Sequence, residues 1–176
     1  MAEEAALDAL RDMFRYHAWA TLRLIDFCAG LPPEQLEGSV PGTRGPVLDT
    51  LRHIVRADYG YKMRFKVHSK PELEDEDVPS LERMRAIFAG ESEIWLTLLG
   101  RLQEFDITIP ANPQDDPPWP EAPHARNLLL IQAIHHGNDH RTQICTILGS
   151  KGLEIPWMDA WGYWASERAP RSRAAH

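Results

Sequence analysis

His135-His136-Gly137-Asn138-Asp139-His140-Arg141 lies inside a periodic apolar segment, from about Ala125 to Gly149, whose reading decides both architecture and chemistry. At about 100° per residue on a helix, His136 and His140 line up with Leu129, Ala133 and Ile147, inside the apolar arc. His135 and Asp139 align instead with Gln132, Thr142 and Thr146, on the polar side. The pattern therefore predicts a helix that turns two imidazoles, one turn apart, toward the core and leaves His135 at the surface. Buried imidazoles are costly unless their nitrogens find partners. One divalent metal satisfies both at once; otherwise each ring bonds a backbone carbonyl or a carboxylate. Gly137 occupies the position where the HExxH zinc proteases carry their glutamate, so the spacing speaks for a metal and against that protease chemistry.

Working back from this helix, three more periodic segments appear. The first spans about Glu4 to Ala29 and stops at Gly30-Leu31-Pro32-Pro33, with Leu7, Leu10, Phe14, Ala18, Leu22 and Ile25 on one face. The second starts after Gly45-Pro46 and carries Val47, Leu51, Ile54, Val55, Tyr59 and Phe65. Ser69 to Pro79 is acidic and Pro-bounded and reads as a solvated loop. A third helix opens at Ser80 and runs through Met84, Phe88, Trp95, Leu98 and Leu102. Beyond Asp106, Ile107-Thr108-Ile109 alternates like a short strand, and six prolines follow between Pro110 and Pro123. This long irregular connection is the kind that often carries function. Trp157 to Glu167 holds three of the six tryptophans and reads as a short helix covering the core. The expectation is an all-α, four-helix bundle with an irregular Pro-rich loop before the last main helix and a short C-terminal helix. It forms one domain over residues 1–168, with 169–176 a disordered tail.

Composition narrows the function classes. The 176 residues are 43% hydrophobic, enough for one core, and 19 Lys and Arg against 26 Asp and Glu leave a net charge of −7. That balance argues against a nucleic-acid partner, which needs a basic surface. No run approaches the roughly 18 apolar residues of a membrane span. The start, Met1-Ala2-Glu3-Glu4, is acidic where a secretory signal is basic, and Cys28 and Cys145 form no CxxC pattern. The expectation is a cytoplasmic protein with two buried, unpaired thiols.

Two imidazoles do not complete a metal shell. Periodicity favours His17, on the apolar face of the first helix between Leu10 and Leu24. His53 falls off the main apolar stripe of the second helix, beside Thr50, Ala57 and Gly60, whose small side chains would let another helix come close.

The stretches Tyr16-His17-Ala18-Trp19-Ala20, Leu51-Arg52-His53-Ile54 with Asp58, and His136-Gly137-Asn138-Asp139-His140-Arg141-Thr142-Gln143 together resemble the DinB-like (YfiT-type) family of small bacterial metalloproteins, in order and spacing over most of the chain. The resemblance implies a four-helix bundle holding a divalent metal, Zn or Ni, by one His of the second helix and the HxxxH pair of the last main helix: His53, His136 and His140. It displaces His17 to a pocket or supporting role. Asp139 stands where the family often has another histidine, on the solvent side. The wider superfamily is similar in fold to S-transferases and isomerases that use low-molecular-weight thiols. The resemblance therefore implies a metal-dependent hydrolase or thiol S-transferase, active on a small-molecule thiol or electrophile, and a homodimer. For acid, base or anion-binding roles the chain offers His17, Asp58, Tyr16 and Arg141. The rival expectation is a non-catalytic, stress-associated dimeric bundle whose metal is structural and closed off by a fourth ligand such as His17 or a carboxylate. Trp19, Trp119, Trp157, Trp161 and Trp164 are candidates to line a pocket, an aromatic core or a dimer seam.

Overall fold

Four long helices form the molecule in a computed structural model that describes residues 2–66, 79–114 and 118–168. They are α1 (Ala2–Ala29), α3 (Val47–Met63), α4 (Leu81–Gly100) and α5 (Arg126–Ser150); α2 (Pro33–Leu36) is a single turn and α6 (Ala160–Arg168) a short C-terminal helix. The bundle is all-α, as its periodicity predicts. No helix among the described residues is long and apolar enough to cross a membrane. The acidic stretch 67–78 and the tail 169–176 lie outside the described residues.

Local chemistry sets the helix ends. The hydroxyl of Ser80 accepts the Arg83 amide hydrogen at 3.1 Å and caps α4. Pro46 precedes α3 and Pro33 opens α2, where the missing N–H costs nothing. α2 escapes the sequence pattern because four residues cannot show a helical period.

Around the bundle, α1 packs on α4 and α5, and α3 on the same two, so α1 and α3 face each other across the centre. The interior has two apolar halves. One contains Leu24, Ile25, Val47, Leu51, Met84 and Ile147; the other contains Phe14, Phe65, Trp95, Leu98, Leu129 and Leu130. Between them lies a belt of buried polar side chains: His17, Thr21, Asp58, Lys62 and Arg141.

The Pro-rich connection is more ordered than its composition suggests. Ile109 pairs with Ala122, and Asn112 with Trp119, in two isolated antiparallel bridges. The expected strand at Ile107–Ile109 shrinks to these bridges, since proline lacks the N–H a continuous ladder requires. The C-terminal tryptophans also depart from expectation. Trp157, Trp161 and Trp164 are more than half exposed and do not cover the core; Trp19 packs with Tyr16 and Tyr163 between α1 and α6.

Candidate metal centre

His53 on α3 meets His136 and His140 on α5, and one nitrogen from each imidazole lies within 4.8 Å of the others. Ring centroids are 4.4 to 4.8 Å apart. The Nε2 atoms of His136 and His53 are separated by 2.8 Å. Two nitrogens bonded to one ion at about 2.0–2.1 Å stand about 2.9 Å apart at a right angle and about 3.3 Å apart at a tetrahedral one. The His53–His136 pair therefore already stands at a separation one divalent cation can bridge, and the third imidazole, within 4.8 Å, completes the group by a modest side-chain movement.

The trio sits at the rim of the bundle rather than in its core. All three rings are half-buried, which corrects the wheel reading that turned His136 and His140 inward. Leu129, Ala133 and Ile147 are buried as read, but they mark one edge of a buried stripe of α5 that extends away from the imidazoles through Leu130, Ile134, Gly137, Arg141, Ile144 and Leu148. Leu128 and Ile131 widen the apparent apolar arc, yet they are 47% and 58% exposed. His135 and Asp139 are exposed, as read.

Electrostatics keep these imidazoles neutral, the form in which a lone pair is free for a metal. Burial, with Arg44 and the neighbouring His140, pushes His53 down to about 4. Burial and the other two rings push His136 to about 4 as well, and burial lowers His140. The tautomer of His140 follows from its neighbours. The Arg44 amide donates to Gln143 Oε1 at 2.8 Å, which identifies that atom as the oxygen. His140 Nδ1, 3.3 Å from the same oxygen, must donate to it, leaving Nε2 free.

His17 belongs to a different constellation. Its Nδ1 lies 3.2 Å from an Arg141 guanidinium nitrogen, which can only donate, so Nε2–H donates to Asp58 Oδ1 at 3.2 Å. Asp58 also accepts from Trp95 Nε1 at 2.9 Å and from Lys62 Nζ at 2.5 Å. Burial alone would raise the Asp58 carboxyl, but Lys62 and His17 outweigh it and hold it well below the usual carboxylate range. Arg141 further donates to Thr21 Oγ1 at 2.8 Å and to Asn138 Oδ1. The preference periodicity gave His17 as a ligand thus has a physical correction: the ring is buried, but both nitrogens are engaged. His17, Asp58 and Arg141 meet one another, sealed at 1%, 4% and 5% exposure, rather than joining the three-imidazole group. Tyr16 donates its hydroxyl to the Met158 carbonyl at 3.0 Å.

The two constellations touch through Gly137. A Cβ added there would lie 2.3 Å from His17 Cε1, so the position that lacks the protease glutamate is glycine because His17 packs against the α5 backbone. Burial pushes the Cys28 thiol up to about 12 and raises Cys145, which makes neither a ready thiolate.

Sequence reasoning missed Tyr61 and Gln132. The Tyr61 ring stands edge-on to His136 at 5.7 Å, and its half-buried phenol, raised by burial, is hydrogen-bonded to Gln132. Their signal was periodic: Tyr61 lies two turns beyond His53, and Gln132 one turn before His136.

No curated protein and no solved structure matches the chain. The protein-family comparison matches residues 1–172, almost the whole chain, to a family in whose resemblance these same three histidines are the expected ligands; the chain belongs to the DinB family.

Proposed function

We propose that the chain is a metal-dependent enzyme in which His53, His136 and His140 hold one divalent cation, Zn or Ni, and a coordination face stays open to substrate. The reaction is hydrolysis, or transfer to or from a low-molecular-weight thiol. The observation that carries this reading is the convergence of three neutral imidazoles from two helices at a half-exposed rim. A cation held there supplies Lewis acidity toward a water, a thiol or a carbonyl oxygen. Gln143, anchored by the Arg44 amide, fixes the orientation of the His140 ring. Tyr61 sets its ring edge-on against His136 and ties its hydroxyl to Gln132, which closes one side of the site.

The structural-metal alternative needs a fourth protein ligand. His17, its first candidate, has both ring nitrogens occupied by Asp58 and Arg141, which supports the open-face reading. Imidazole ligands suit several first-row metals, so identity is read by analysis rather than from the donor set. The test is metal analysis of tag-free protein beside His53→Ala, His136→Ala and His140→Ala. The expected result is one equivalent in the parent protein and loss in each variant; full retention in all three overturns the site. Assays with low-molecular-weight thiols against electrophile and ester panels then separate transfer from hydrolysis.

A further inference from the structure

The groove between α3 and α5 continues beyond the imidazoles. Ala57 follows His53 by one turn and Gly60 and Tyr61 by two; on the antiparallel α5, Gln132 precedes His136 by one turn and Leu128 and Leu129 by two. These residues floor a cavity of about 620 Å³. The Pro-rich connection roofs it with Ile109, Trp119, Pro120 and Ala122, held over the groove by the two bridges. That volume falls in the range of small-molecule sites. At the helical rise the floor begins about 6 Å along α3 from His53 and ends at Arg64 about 16 Å away. Arg64 alone is charged among the described lining residues. Tyr61 is common to both places: it lines the cavity and stands against His136. Gly60 leaves the space open, since a Cβ there would meet nothing within 4 Å. Trp119 and Leu128 remain about half exposed, apolar surface that an occupant would cover.

We infer that this cavity takes the uncharged apolar body of a small-molecule substrate whose metal-ligating, reacting end lies against His53, His136 and His140. The inference rests on the metal reading above and adds to it the class of substrate: an amphiphile with a compact polar head and an aliphatic or aromatic body. It also gives the Pro-rich connection a role as the roof of the binding site.

Straight-chain hydroxamic acids, from acetohydroxamic to octanohydroxamic, provide a metal-ligating head on a body of adjustable length. Titrated calorimetrically into the zinc-loaded protein, they should bind about fourfold more tightly per added methylene until the cavity is filled. Gly60→Leu fills the open space from an ordinary helical position and should flatten the series, with acetohydroxamic acid as the reference within each protein. A flat series in the parent protein, or equal slopes in the two proteins, overturns the inference. If zinc itself fails to bind, the metal reading falls and the cavity is judged separately. Zinc-free protein is then titrated with 1-butanol to 1-octanol while the Trp119 indole and the Ala57 and Ala122 methyl resonances are followed. Saturable shifts that tighten with chain length and disappear in Gly60→Leu support the apolar cavity; no shifts at those groups overturn it.

Discussion

Replacing Gly137 by alanine should destabilise the protein, although alanine is the better helix former by about 1 kcal/mol. The new methyl would lie 2.3 Å from His17 Cε1, 2.7 Å from its Nδ1 and 2.9 Å from an Arg141 guanidinium nitrogen. Ordinary carbon contacts are about 3.5–4.0 Å, so the ring must retreat by more than an ångström. Its bonds to Asp58 and Arg141 are each already 3.2 Å long, and a retreat of that size breaks at least one. Overpacking costs about 1–3 kcal/mol, and a buried polar group left unsatisfied a similar amount. Less the helix gain, the net loss is roughly 1–5 kcal/mol. Urea denaturation of metal-free protein, followed by far-ultraviolet circular dichroism, measures it. Gly60→Ala is the control, because the same helix gain there meets open space. In the double variant with His17→Ala, which removes the obstructing ring, the two losses should sum to less than their separate values. A Gly137→Ala protein at least as stable as its parent would refute the packing argument.

Two further outcomes follow from the same geometry. Burial holds His17 neutral, with its pKa below the ordinary imidazole value despite Asp58 beside it, whereas in the unfolded chain it titrates near 6.5. Below that pH the unfolded state binds the extra proton, so stability is complete above about pH 6.5 and falls as pH drops, by up to about 1.4 kcal/mol per unit for this one group. His53 and His136, pushed to about 4, act in the same direction but more weakly because solvent screens them. Denaturation midpoints of metal-free protein from pH 7.5 to 5 check this, and a flat profile would contradict it. Gln143→Ala removes the acceptor that orients His140 and should weaken metal binding roughly 10- to 100-fold. Competition with a chromophoric chelator reads that change, and an unaltered affinity would deny Gln143 its orienting role.

The long helices were legible because their apolar positions repeat over many turns. The histidine pair was legible because residues four apart on a helix share a face. Periodicity misjudged depth, however. It registers which residues are apolar, not how far the covered surface extends, so it could not tell that Leu129, Ala133 and Ile147 stand at the edge of the buried stripe, with the imidazoles beside them at the rim. A side chain at the rim also falls off the apolar stripe by necessity, which is why half-buried His53 looks the weaker candidate by periodicity and fully buried His17 the stronger. Only the pattern shared with the DinB-like family reversed that order. Asp58 and Lys62 are four apart and visible as a helical pair, but nothing local indicates that the lysine has no exposed surface at all. The cavity could not be read from sequence, since the α3 half of its floor lies more than forty residues along the chain from its roof and more than sixty from its α5 half.

The carboxylate of Asp58 gathers contacts from three helices: His17 of α1, Lys62 of its own α3, and Trp95 of α4. A core of leucines and isoleucines alone is nearly indifferent to sliding one cylinder past another, because one methyl replaces the next. Shifting α3 by a single turn would carry this carboxylate about 5.4 Å from His17 and Trp95, stranding a charged pair among hydrocarbon where neither water nor protein could answer it. The central acid thus works as an alignment pin, admitting one longitudinal setting of the helices and thereby the one in which residue 53 arrives opposite residues 136 and 140.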